Sequence, residues 1–152
     1  MTNETQLKQL GRWVGSWTTE ATHPAMAGVV VDGTAEVEWL EGERFLIHRA
    51  RNDHADFPDS ISILGFTGRE RAGTSEDDTR LCMHYYDSRG VSRDYDAAVD
   101  HDAVRLSLDA PGIGQRFTGR FVDGGARVEG QWEMCEDGAE WHADLKITYR
   151  RA

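Results

Sequence analysis

From Gly15 onward the chain alternates apolar with polar residues in nearly every segment, and each such segment gives way to a short turn signal. Successive side chains of a strand point to opposite faces, so a period of two builds a sheet with one apolar face and one polar face. Candidate strands cover residues 16–21, 29–40, 44–51, 60–67, 80–87, 91–99, 103–108, 115–122, 126–135 and 140–150. Glu41-Gly42, Asp87-Ser88-Arg89-Gly90, Pro111-Gly112, Asp123-Gly124-Gly125 and Glu136-Asp137-Gly138 separate them as hairpin loops,. About ten strands joined in simple order, each with one apolar face, can hide that face by closing the sheet on itself. The expected architecture is all-β: a single antiparallel up-and-down barrel. Before it, Asn3-Glu4-Thr5-Gln6 has the form of a capping box, and Leu7, Leu10 and Trp13 or Val14 follow at helical spacing,. A short helix there would plug one end.

Alternation also assigns faces. In the last strand Trp141, Ala143, Leu145, Ile147 and Tyr149 share one side and are expected inward,. Val128, Gly130, Trp132 and Met134 are expected inward by the same reasoning, as are Phe117, Gly119 and Phe121, and Val31 through Trp39 at every second position. Trp17 at the start of the first strand and Arg150 or Arg151 at the end of the last would meet where the sheet closes. An arginine over a buried tryptophan would fasten the two ends by cation–π attraction.

A length of 152 residues suits one domain with a core of its own, spanning 1–152,. The net charge of −10 repels phosphate backbones and anionic membrane surfaces, which argues against nucleic acid or a membrane as partner,. Met1–Gln9 lacks an apolar signal-like region and no apolar run is long enough to span a bilayer, so a cytoplasmic location is expected,. Cys82 and Cys135 form no C-x-x-C pair and are expected as free structural thiols,. The connection 68–78 is charged and contains glycine, as a mobile loop would,.

The least ordinary stretch is 81–95. With a hairpin loop of two or four residues at 87–90, Tyr86 faces Val91, His84 faces Arg93 and Cys82 faces Tyr95. The other face would carry Asp94 and Asp96, the costlier pair to bury, so His84, Tyr86, Arg93 and Tyr95 are expected inside. There they would meet the polar or anionic head of a small molecule whose apolar body lies against Trp39, Phe117, Trp132 and Trp141. A second reading of the same cavity is an isomerase- or cyclase-type enzyme, with His84 or Tyr86 moving a proton and Arg93 stabilising negative charge. Beyond these, structural or interaction roles remain, including a homodimer through an outer face. No metal-ligand spacing joins the histidines, and the face of His48 is left undecided because the turn before it can be built with either parity,.

The runs Gly15-Ser16-Trp17-Thr18-Thr19-Glu20-Ala21-Thr22-His23-Pro24, Glu38-Trp39-Leu40-Glu41-Gly42-Glu43-Arg44-Phe45-Leu46, Tyr86-Asp87-Ser88-Arg89-Gly90-Val91 and Arg116-Phe117-Thr118-Gly119 resemble a family of uncharacterised bacterial, lipocalin-like β-barrel proteins. That resemblance implies a calycin-type barrel and no reaction. More distantly, Gly15-x-Trp17 and Pro24 resemble the opening of nitrobindin, a ten-stranded haem barrel, and His142 falls near the place of its ligand histidine. Thr19 and Ala21 stand where that motif has glycines, and alternation sends His142 outward if Trp141 is inside. Haem binding through His142 is the alternative that this likeness implies; the expectation is a barrel without a cofactor, with His142 a structural or surface residue.

Overall fold

A computed structural model describes residues 1–68 and 79–152; most of the expected loop 68–78 lies outside the described residues. Helix α1 (Asn3–Leu10) is capped by Thr2, one residue before the predicted box, whose hydroxyl accepts from the Thr5 amide at 3.1 Å,. A single 3₁₀ turn, Gly11–Trp13, then leads into the first strand. Ten strands follow: β1 (Gly15–Thr22), β2 (Val31–Trp39), β3 (Phe45–Asn52), β4 (Ser60–Thr67), β5 (Arg80–Asp87), β6 (Ser92–Val99), β7 (Ala103–Ala110), β8 (Ile113–Val122), β9 (Arg127–Glu136) and β10 (His142–Arg151). Each pairs antiparallel with the next, and β10 returns to β1, so the sheet is a closed barrel. Closure leaves no unpaired sheet edge.

One end of the barrel is shut by α1 and its 3₁₀ turn. Leu7, Leu10 and Trp13 are buried there, and Trp39 from β2 packs 3.5 Å from the space above Gly11. Trp17 is wholly buried and donates its indole N–H to the Trp13 carbonyl at 2.8 Å. The closure residue is Arg151. Its guanidinium lies 4.2 Å from the Trp17 ring centroid and donates to the carbonyls of Val14, Arg12 and Gly125, tying the last strand to the plug. Gly15, at φ +140, makes room: a β-carbon there would come within 2.6 Å of that guanidinium,. Arg150 points the other way, to an ion pair with Glu20 on the outer face. Arg12 holds the plug from a second side, over the Phe121 ring at 4.1 Å and bonded to the carbonyls of Asp100 and His101.

Two local irregularities change which side chains face the lumen. Asp87 donates its amide to Val91 and Gly90 donates to Asp87, so the β5–β6 loop holds three residues, with Gly90 at φ +83,. An odd loop moves the register by one: Tyr85 pairs with Arg93, His84 with Asp94 and Met83 with Tyr95. His84 and Tyr86 therefore lie on the outer face, contrary to the alternation argument from an even loop. His84 bonds Asp94 at 2.5 Å and Tyr86 is 48% exposed. The second irregularity is a bulge in β10 between Ala143 and Lys146,. Beyond it Leu145, Ile147 and Tyr149 face inward as expected, but before it the phase is inverted. Trp141 is outside, 40% exposed and stacked under the Arg116 guanidinium at 4.1 Å, and Ala143 is exposed. The same inversion pairs His142 with Met134, on the inner face of the sheet at the barrel mouth, where its side chain is exposed.

Candidate functional site

Behind the plug the barrel keeps a cavity of about 190 Å³. Most of its wall is apolar: Val37 and Leu46 on one side, Leu106, Phe117 and Trp132 on the other, and Ile147 between. Space for it is created by glycine. The Phe117 ring lies flat over Gly119 and Gly130, where a β-carbon would approach it to 2.9 and 2.6 Å, and it stacks on Trp132 at 5.0 Å between centroids,. Phe57 and Pro58, from the connection between β3 and β4, reach across the open end. That connection is fixed: Asn52 donates to the Pro58 carbonyl, Asp59 accepts from the Asn52 amide, and Asp59 and Ser88 exchange two further bonds.

A polar row crosses the inner face. Strand pairing sets His48 beside Ser62, Ser62 beside Tyr85 and Tyr85 beside Arg93, so the row runs over four strands, β3 to β6, from the closed end toward the mouth. At the mouth Tyr85 donates to Asp87, whose carboxylate also receives Arg89 and is held well below the usual range by that arginine,. Burial raises the Tyr85 phenol. Arg93 lies just past the cavity rim, half-buried, its charge acting on the Tyr95 hydroxyl, which donates to Gln115 at 2.7 Å. Tyr95 is buried behind Trp132, 5.5 Å between rings.

Deeper in, Trp13, His48 and Tyr149 form a mutual edge-to-face cluster, with centroid separations of 4.9 Å (Trp13–Tyr149), 5.9 Å (Trp13–His48) and 6.0 Å (His48–Tyr149),. His48 is enclosed by protein and presents its remaining surface to the lumen, which lowers its pKa to about 4 by desolvation,. It is a neutral imidazole at neutral pH. Burial likewise pushes the Tyr149 phenol up. Among the described residues, the side chains of Tyr149, Ser62 and Thr19 make no hydrogen bond, and His48 makes none to another residue.

Of the residues expected to form a site, Phe117 and Trp132 line the cavity. Tyr95 and Arg93 flank it on the inner face, Trp39 belongs to the floor under the plug, and His84, Tyr86 and Trp141 are outside. The lumen's imidazole is His48. A signal for it was present in β3, where burying Arg49 and Arg51 instead would enclose two guanidinium groups,. Alternation alone places Tyr149 inward and carries no sign that its hydroxyl lines the lumen. Haem, which the nitrobindin likeness implies, does not fit the cavity as it stands: about 190 Å³ suits one aromatic ring, not four linked pyrroles,. His142 is at the mouth and is not part of the cavity wall.

Fold and site together define a closed ten-stranded antiparallel barrel with a largely apolar lumen that opens at one end. No protein-family model and no curated protein matches the sequence. Among solved structures, the chain is similar to the crystal structure of Rv2717c from M. tuberculosis, with a TM-score of 0.63 at 15% identity over 97% of each chain. A structure of EF1p2_mFAP2b bound to DFHBI aligns with a TM-score of 0.47 at 14% identity, over 97% of this chain and 99% of that one. The likeness to Rv2717c is one of fold.

Proposed function

We propose that the protein binds a small, mainly apolar molecule inside the barrel, with the ligand's polar end toward His48 and Tyr149. The observation that carries this reading is the cavity of about 190 Å³, lined mostly by apolar side chains, into which His48, Tyr149, Ser62 and Thr19 present polar groups that bond no other residue. Native interiors pack to a density that leaves few voids larger than a water molecule, and buried polar groups normally find partners. A lumen that keeps such a void, with unbonded polar atoms reaching its open space, is arranged for something else to fill it. The anionic head and the roles of His84 and Tyr86 do not belong to this reading, because neither side chain reaches the lumen.

Calorimetric titration with toluene and with p-cresol tests the proposal. Saturable binding of one site per chain, abolished when Leu106→Trp fills the cavity without loss of the β-sheet circular dichroism, is the expected result. Absence of saturable binding by either compound would remove the lumen as a ligand site.

A further inference from the structure

The lumen shows which chemistry its ligand carries. Among the described residues that line it, none is Asp, Glu, Lys or Arg. Besides the donor-only indole N–H groups of Trp13 and Trp132, its polar groups bonded to no other residue are an imidazole, a phenol and three aliphatic hydroxyls, from His48, Tyr149, Ser60, Ser62 and Thr19. Each of these can both donate and accept a hydrogen bond when neutral. Nothing here neutralises a carboxylate or a phosphate, and an unpaired ion in such a place would bear a large desolvation cost. The guanidinium of Arg93 stands past the rim, beyond Tyr85.

Shape narrows the choice further. The cavity is bounded by the rings of Trp13, Phe117, Trp132 and Tyr149, and an apolar cavity of about 150 Å³ is enough to hold benzene,. A ligand hydroxyl near the ring cluster could accept from Tyr149 and donate to the free nitrogen of neutral His48, satisfying both; a carbonyl could only accept. Resting on the lumen as the binding site, we propose that its ligand is an uncharged single-ring aromatic molecule bearing a hydroxyl, of the phenol class, with its ring against Phe117 and Trp132 and its oxygen between His48 and Tyr149.

Calorimetry at pH 7.5 with toluene, p-cresol and 4-methylbenzoate separates this inference from the reading beneath it. The three probes share a ring and a methyl group and differ in the polar end. We expect p-cresol to bind about 3–10-fold more tightly than toluene, the worth of one net hydrogen bond, and 4-methylbenzoate at least about 100-fold more weakly than p-cresol. Tyr149→Phe, which keeps the ring against Trp13, and His48→Leu should each narrow the preference for p-cresol over toluene. If 4-methylbenzoate binds as well as p-cresol, or p-cresol no better than toluene, the phenol assignment fails while lumen binding stands. An undiminished preference in folded Tyr149→Phe would remove the assigned partners, and failure of all three probes would overturn lumen binding itself.

Discussion

Glycines beneath the Phe117 ring help to shape the lumen. Gly130 is the clearest instance: an added β-carbon would sit 2.6 Å from Phe117 and 3.0 Å from Ile147, both of which hold the cavity wall. Overpacking of this kind costs about 1–3 kcal/mol, because neighbours must leave their preferred rotamers. Gly130→Ala should therefore lower the urea midpoint by an equivalent amount and weaken p-cresol binding, as Phe117 is pushed into the space the ligand would take. A variant as stable as the parent with undiminished affinity would show that Phe117 does not set the cavity's width. His48 shows the opposite lesson. Its side is legible from the cost of burying its neighbours Arg49 and Arg51, yet its importance comes from Trp13 in the 3₁₀ turn, Ser62 on β4 and Tyr149 on β10, which no local pattern contains.

At the scale of elements, strand positions follow from alternation, while facing follows from loops and bulges. β4 and β5 occupy the residues that period-two patterning assigns, and the other strands differ by one or two residues at an end. The β5–β6 loop of three residues and the β10 bulge each shift the phase by one, and that moved His84, Tyr86 and Trp141 to the outer face,. Both are single-residue events, and sequence alternation on either side of them is unbroken. The seam between β1 and β10 was legible because it joins chemically distinctive residues, a buried tryptophan and a terminal arginine. Arg151→Ala removes a cation–π contact and three carbonyl bonds at that seam, and should destabilise the barrel by about 2 kcal/mol in chemical denaturation,. Arg151→Lys should recover only part of this, since one ammonium cannot span three carbonyls and a ring face. Full recovery by lysine would mean that charge alone closes the seam.

For the whole molecule, an enclosed neutral imidazole couples folding to pH. The His48 pKa falls from 6.5 in the unfolded chain to about 4 in the barrel, so between those values the unfolded state binds a proton that the folded state refuses,. Stability should thus decline as pH drops from about 6.5 to 4, by at most about 3 kcal/mol, and this contribution should level off below. The paired carboxylates titrate lower: Asp87 and Asp100 are both depressed from 3.8, Asp100 to about 2, so their loss begins where that of His48 ends. His48→Phe should flatten the upper window alone, as measured by denaturation across pH; an unchanged profile would place the titrating group elsewhere. No helix among the described residues is long and apolar enough to cross a membrane.

Ligand occupancy of the lumen is tested most directly by a crystal structure of the protein with 4-bromophenol, whose bromine is located by anomalous scattering. The account predicts one bromine inside the barrel beside Phe117 and Trp132, with the phenol oxygen within hydrogen-bonding distance of His48 and Tyr149. Bromine found only on the outer face, with the lumen closed by its own side chains, would contradict it.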